Sequence, residues 1–320
     1  MRLHSMIAAL ACVLAAAAHS QSFGPKPVTL VVGFPAGGSN DLAARVLAPK
    51  LAEALGTSVV VVNKVGANAT IGTDFVAKAA PDGHTLLVAS ASPLVIVPHT
   101  ATSVPYDTLK DFAPITTLAV TPGAIALNPS ITARDLKQLL DATGSKELRL
   151  ASTGNGGMPH LTIELLKKNA KPGAVVHVPY KGAAAAMGDV MGGHVDGIVA
   201  DLASVVTLAK DGKVRVIAIT GKGRADVLPE APTAVEQGFA GLVAENWLGV
   251  FAPAQTPPAV VDKIYGALAA IMQQPDVREQ MRKIGYTVTP TPLPAQTQRF
   301  LRDEYERWGK VAKESGARAD

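Results

Sequence analysis

The stretch VTLVVGFPAGGSND, Val28 to Asp41, runs from an apolar, β-branched strand through a glycine-rich loop into the start of a helix. The same order returns in LRLASTGNGGMPH, Leu148 to His160. A loop of this kind sets backbone N–H groups and the positive end of a helix dipole at the carboxyl edge of a strand, where an anion is held. Two copies in one chain predict two facing clamps.

Working outward from the first copy, Val-, Ile- and Leu-rich runs alternate with helical stretches. Strand Val28–Val32, helix Leu42–Leu55, strand Val59–Val62, helix Ile71–Ala79, a turn at Pro81-Asp82-Gly83 and strand Thr85–Ala89 read as βαβαβ, which implies parallel strands with right-handed crossovers. Pro49 is expected to kink or split its helix, because it removes a backbone hydrogen bond. The pattern restarts around the second copy with helix Ala133–Ala142, strand Leu148–Ala151, helix Leu161–Asn169, strand Val175–Val178, helix Ala183–Met191, strand Val195–Ala200, helix Leu202–Ala209 and strand Val214–Thr220. Strand Trp247–Ala252, helices Pro258–Gln273 and Pro275–Ile284 and a C-terminal helix Ala295–Ser315 carry no glycine loop and are expected to complete the first unit.

The fold class expected is α/β, with two βαβ lobes joined by two crossing strands near Leu118–Ile125 and Val243–Val250. Lobe 1 takes residues 21–120 and 245–320, and lobe 2 takes 121–244. A length of 320 residues agrees, since single cores tend to divide beyond about 250–300 residues. Two crossings between lobes form a hinge over a cleft.

Residues 1–20 read as an export signal: Arg2 and His4 precede the apolar run Met6–Ala18, and Ala18 and Ser20 suit a cleavage site before Gln21. The run is too short to span a bilayer. Cys12, the single cysteine, lies within it; lipidation of Cys12 is disfavoured by Ala9 three residues before it and by the apolar run continuing past it. The net charge of +4 falls to +3 without Arg2 and comes from scattered Lys and Arg with no basic run, which argues against a nucleic-acid surface. An exported protein of the bacterial periplasm is expected.

In the first loop the glycines let backbone approach a ligand, and Ser39, Asn40 or Asp41 can cap the helix that follows. In the second, Ser152, Thr153, Gly154 and Asn155 offer hydroxyl, amide and backbone donors. Neither loop matches G-x-x-x-x-G-K-[ST] or a dinucleotide fingerprint, so no cofactor is expected. Gly37-Gly38-Ser39-Asn40-Asp41 lacks the closing glycine of a nucleophile elbow, which leaves a Ser39-based triad without support. His160 with Glu164, and His194 with Asp196, have spacings that could ligate a metal, but no third ligand completes either set. Asp201 ends strand Val195–Ala200 and reads either as the N-cap of helix Leu202–Ala209 or as a cleft residue. Lys181 reads as a solvated lysine or a carboxylate partner, Ser90 and Ser92 as small hydroxyls suited to ligand contact, and Trp247 as packing at the hinge.

Taken together, the phrases KPVTLVVGFPAGGSNDLAAR, VVVVNKVGANATIG, APDGHTLLVAS, VPYDTLKDFAPI, STGNGGMPHL, VHVPYKGAAAAMGDVMGGHVD, LPEAPTAVEQG, LGVFAPAQTP and RWGKVAKESG make the chain resemble the tripartite tricarboxylate transporter substrate-binding proteins, the Bug or TctC family. The resemblance implies a two-lobed periplasmic binding protein fold of the second topological type. It also implies a monomer that binds a small mono-, di- or tricarboxylate or amino acid, performs no chemistry and serves membrane permease subunits. The implied ligand contacts are Phe34, Ala36, Gly37, Gly38, Ser39, Asn40 and Asp41 from one lobe and Ser152, Thr153, Gly154 and Asn155 from the other, with Ser90, Ser92 and Asp201 nearby. A sensory module and a hydrolase of a carboxylate derivative are the alternatives. One loop departs from the family's usual N-R-P-G-A-G-G-N-I-G: Lys64, Val65, Asn68, Ala69 and Thr70 stand in it, and Asn68, expected as a further ligand contact if that loop faces the cleft, adds a polar side chain where glycine usually leaves space.

Overall fold

The computed structural model describes residues 23–144 and 147–319. The predicted export signal with Cys12 lies outside them.

Strands β1 (Val28–Val32), β2 (Val59–Asn63) and β3 (Thr85–Ser90) run parallel in the order β2-β1-β3, connected by helices α1 (Ser39–Leu55) and α2 (Thr70–Ala77). After β3 the chain makes a buried π-helical turn, Ser92–Ile96, and a short helix α3, Val97–Thr100. Neither was expected, because the apolar run SPLVIV carries no helical period. Strand β4 (Phe112–Leu127) follows, then α4 (Leu136–Asp141), β5 (Leu148–Ser152), α5 (Met158–Lys167), β6 (Val175–Pro179), α6 (Ala183–Met191), β7 (Gly197–Asp201), α7 (Leu202–Lys210) and β8 (Arg215–Ile219). Strand β9 (Glu245–Pro253), helices α8 (Pro258–Ile271) and α9 (Pro275–Lys283), the two-residue β10 (Thr287–Val288) and helix α10 (Pro294–Ser315) complete the chain.

The two expected sheets share a strand. Residues Phe112–Pro122 of β4 pair antiparallel with β9, which itself lies against β3, whereas Gly123–Leu127 pair with β7 on one side and β8 on the other. Pro122 does not interrupt β4. It stands where pairing passes from one sheet to the other, a position at which a residue without an N–H is tolerated. Beside it the chain returns through Ala244, whose carbonyl accepts from Gly123 N and whose N–H donates to Thr220 O. Pro49 likewise fails to split α1, which runs unbroken across it. The buried stripe Ala43, Ala44, Leu47, Ala48, Leu51 and Leu55 extends to both sides of the proline and holds the two halves on one core.

Successive strand residues bury opposite faces, as a sheet covered on both sides requires. Leu30 and Val32 enter a core with α1 and α8, while Val31 enters another with Leu301 and Trp308 of α10. In the second sheet Ile198 and Ala200 face α6 and α7, and Val199 faces Leu136 and Ile163. The C-terminal helices therefore pack on the first sheet. No helix among the described residues is long and apolar enough to cross a membrane.

Helix α10 is pinned by a buried carboxylate. Glu304 Oε2 accepts from the indole N–H of Trp247 at 3.0 Å and of Trp308 at 2.9 Å, and Oε1 accepts from Arg307. Trp247 also packs edge-on to Phe300. An unpaired buried donor costs about 1–3 kcal/mol. Glu304→Ala should therefore lower unfolding stability by about 3 kcal/mol in urea titration followed by tryptophan fluorescence, and Glu304→Gln, which keeps an acceptor, by less.

Candidate functional site

The first glycine loop joins β1 to α1, and Gly38 rather than Ser39, Asn40 or Asp41 stands at the N-cap, with no side chain capping it. The three residues expected as caps form the first helical turn. Gly37, at φ +80, takes the left-handed turn that glycine favours. Its N–H donates to Asp41 Oδ2 at 2.9 Å, and Gly38 N–H reaches Pro35 O at 3.2 Å. The loop glycines are thus engaged within the loop. Since the first intrahelical bond is Leu42 N to Gly38 O, the amides of Ser39, Asn40 and Asp41 are the donors left without intrahelical partners.

Asp41 works behind the loop. Its carboxylate accepts from Gly37 N, from Arg45 Nε and a second Arg45 nitrogen at 2.9 Å each, and from Asn63 Nδ2 at 2.9 Å. Burial pushes its pKa up, but the donors from Arg45, Gly37 and Asn63 together hold it below the ordinary carboxylate value.

The second loop is braced differently. Ser152 Oγ lies 2.6 Å from His177 Nε2 and donates to Gly154 O at 2.9 Å. The His177 ring stacks on His160 at 3.8 Å, and His160 Nδ1 accepts from Gly156 N at 2.9 Å. Burial, then the charges of His160 and Lys167, push the His177 pKa down to about 3; burial also lowers that of His160. The His177 ring is neutral near pH 7, and both rings brace the loop, His177 through the Ser152 hydroxyl and His160 through the Gly156 amide. His160 does approach Glu164, at 3.3 Å, as the spacing suggested, but the ring's other nitrogen is held by the loop. The start of α5 is also occupied, since Met158 N donates to Ser92 Oγ at 3.1 Å.

The two loops face one another across a cleft with two compartments, whose linings share Phe34, Pro35, Thr153 and Gly182. The inner one, about 30 Å³, is lined by Phe34, Pro35, Gly38, Ser39, Ser90, Ser92, Thr153, Pro159, Gly182, Ala183, Asp201, Ser204 and Asn246. The outer one, about 860 Å³, is lined by Phe34, Pro35, residues 65–70, Thr153, Gly154, Asn155, Tyr180, Lys181, Gly182 and neighbours. Of the residues expected at the site, Phe34, Gly38, Ser39, Asn68, Ser90, Ser92, Thr153, Gly154, Asn155 and Asp201 line one compartment or both. Ala36, Gly37, Asn40, Asp41 and Ser152 line neither; Asn40 instead donates to Ser90 Oγ at 3.3 Å.

Asp201 occupies the N-cap position of α7, yet its side chain makes no cap bond. It reaches across the cleft, accepting from Ser39 Oγ at 2.6 Å and from Asn246 Nδ2 at 3.1 Å. Burial raises its pKa, opposed by the donors Ser39 and Asn246. Asn246, buried on β9, also accepts from Ala91 N at 3.0 Å and so ties the β3 end to the cleft floor. Sequence reasoning passed over Asn246, although an amide inside the apolar run LVAENWLGV was a usable sign.

The chain is similar to known proteins in sequence and in fold. The sequence profile described as "Tripartite tricarboxylate transporter family receptor" matches residues 43–317. The structure of the periplasmic binding protein BugD superposes with a TM-score of 0.85 at 32% identity, covering 91% of this chain and 98% of BugD. An R. palustris protein solved with adipate gives 0.87 at 30% identity over 92% of this chain and 99% of its own. Malate-bound MatC from Rhodopseudomonas palustris gives 0.82 at 30% identity over 89% and 98%.

The lowered Asp41 pKa has a stability consequence. Its contribution is fully present above the unfolded value of about 4 and disappears as pH falls through the folded value. Asp41→Asn should lower stability by about 2 kcal/mol at pH 7, where it loses charge-assisted hydrogen bonds. It should also flatten the loss of stability of the unmodified protein below about pH 4, as measured by urea unfolding at stepped pH.

Proposed function

The chain belongs to the family of tripartite tricarboxylate transporter receptors, the TctC or Bug proteins, and from that premise we propose that it captures a small organic carboxylate between its two glycine loops. It is a periplasmic solute-binding protein and not an enzyme. The observation that carries the ligand class is the convergence of Ser39, Ser90, Ser92 and Thr153 on one inner compartment beside the first turn of α1. Hydroxyl donors and unpaired helix amides suit a carboxylate oxygen, and the helix dipole adds a favourable field. Asp201 and Asn246 at the floor would receive a water bridging to the ligand, or the amino group of an amino acid.

In this reading residues 1–20 export the chain to a Gram-negative periplasm. Lobe 1, residues 21–120 and 245–320, and lobe 2, residues 121–244, then close about β4 and the return through Ala244. The monomer presents its ligand to permease subunits. The adipate and malate held by the two R. palustris proteins support a carboxylate of this size class.

Native mass spectrometry of freshly purified protein, followed by calorimetry with malate, adipate, glutamate and citrate, tests the proposal. Retention or binding of one of these carboxylates is expected; failure of every carboxylate would sink it. Gly38→Leu should abolish binding, by about a hundredfold or more, since a branched side chain fills an inner compartment of only about 30 Å³. The fold should be retained, because φ −75 at Gly38 is open to any residue and a β-carbon there, 3.2 Å from Pro35 O, asks the loop to give by only a few tenths of an ångström.

A further inference from the structure

Every fully buried acid among the described residues has a guanidinium beside it. Asp41 has Arg45 at 2.9 Å, Asp196 has Arg149 at 3.7 Å and Glu304 has Arg307 at 2.8 Å. Asp201, half-buried at the inner compartment, has none among the described residues. Its carboxylate accepts from Ser39 Oγ at 2.6 Å and from Asn246 Nδ2 at 3.1 Å, and both donors are neutral. Tyr286, which feels the charge of Asp201 and hydrogen-bonds Ser39, is a buried phenol. A carboxylate drawn out of water onto neutral donors alone lacks the cation that normally offsets its charge.

The inner compartment supplies no such cation, because Asp201 is the one ionisable side chain in its lining. Its hydroxyls have protons to give. Ser90 Oγ accepts from Asn40 Nδ2 at 3.3 Å and Ser92 Oγ from Met158 N at 3.1 Å, so each O–H is left as a donor. The amides of the first turn of α1 add further donors. Asp201 has the opposite capacity, since a carboxylate accepts about four hydrogen bonds and this one accepts from two residues. One compartment thus offers donors for an anion together with an acceptor for a cation.

We infer that Asp201 is a specificity-determining residue that selects an α-amino acid as the ligand: its carboxylate receives the α-ammonium, while the Ser90 and Ser92 hydroxyls and the first amides of α1 receive the α-carboxylate. The inference rests on the carboxylate reading above and narrows it. A ligand with a carboxylate and no amino group sets its charge beside an acid that nothing offsets, whereas a zwitterion brings the missing cation with it.

Amino acids paired with acids that lack only the α-amino group read this directly: L-aspartate with succinate, L-glutamate with glutarate, and L-leucine with isocaproate. Calorimetry on the unmodified protein should give the amino acid at least about tenfold the affinity of its partner in whichever pair binds, the worth of one charge-assisted hydrogen bond. Asp201→Asn keeps the shape and an acceptor for Ser39 but removes the charge, and should bring the two members of a pair to similar affinity. The ratio is the readout because a merely loosened cleft weakens both members alike; should the variant not fold, the ratio in the unmodified protein decides. A desamino acid bound as tightly as its amino acid, a ratio unmoved in folded Asp201→Asn, or malate or adipate bound where no amino acid is, overturns this inference alone. A protein that binds no member of the pairs, nor malate, adipate or citrate, overturns the carboxylate reading, and the inference falls with it.

Discussion

The backbone of β4 is hydrogen-bonded into two sheets in succession, to β9 as far as Pro122 and to β7 and β8 from Gly123 onward. A strand must pair along its whole length when it is buried, so neither sheet can be removed from the other without unpairing it. This one constraint fixes the relation between the glycine loops. Each loop leaves the carboxyl edge of its own parallel strands, and the shared strand turns those edges toward a common cleft. The return of the chain through Ala244 gives the second connection between the sheets.

The polar groups of the cleft sort into those that brace it and those that face it. Asp41, with donors from Gly37, Arg45 and Asn63, has its oxygens engaged, and Ser152 is similarly occupied by Gly154 and His177. These groups rigidify the loops from behind. Ser39 and Asp201 meet across the cleft instead, at 2.6 Å. The Asn68 amide joins the two loops directly, through its bond to Asn155 O.

Much of the architecture was readable because it is written locally. β-branched runs ended by Gly33 and by Thr153-Gly154 announce strands leading into loops, and most predicted elements differ from the observed ones only by a few residues at their ends. Three features escaped for physical reasons. The π-helical turn Ser92–Ile96 is stabilised by complete burial, which overrides propensity. Continuity of β4 across Pro122 depends on partners distant in the chain, namely Glu245 and Ala244. The helix cap moved to Gly38 because Asp41 reaches back to Gly37, a choice set by Arg45 and Asn63 beside it.

The sequence by itself determined the α/β class, the paired loops and the family, since periodicity, glycine placement and motif order are properties of neighbouring residues. The tertiary structure alone decided which side chains of those loops face the cleft. Asp41 and Asp201 look equivalent as text, each an acid beside the start of a helix. Arg45 and Asn63 draw the first behind its loop, whereas Ser39 and Asn246, brought from the other sheet, draw the second into the cleft. A side chain's direction follows from the partners that burial supplies, and those partners are assembled only when the two sheets meet at β4.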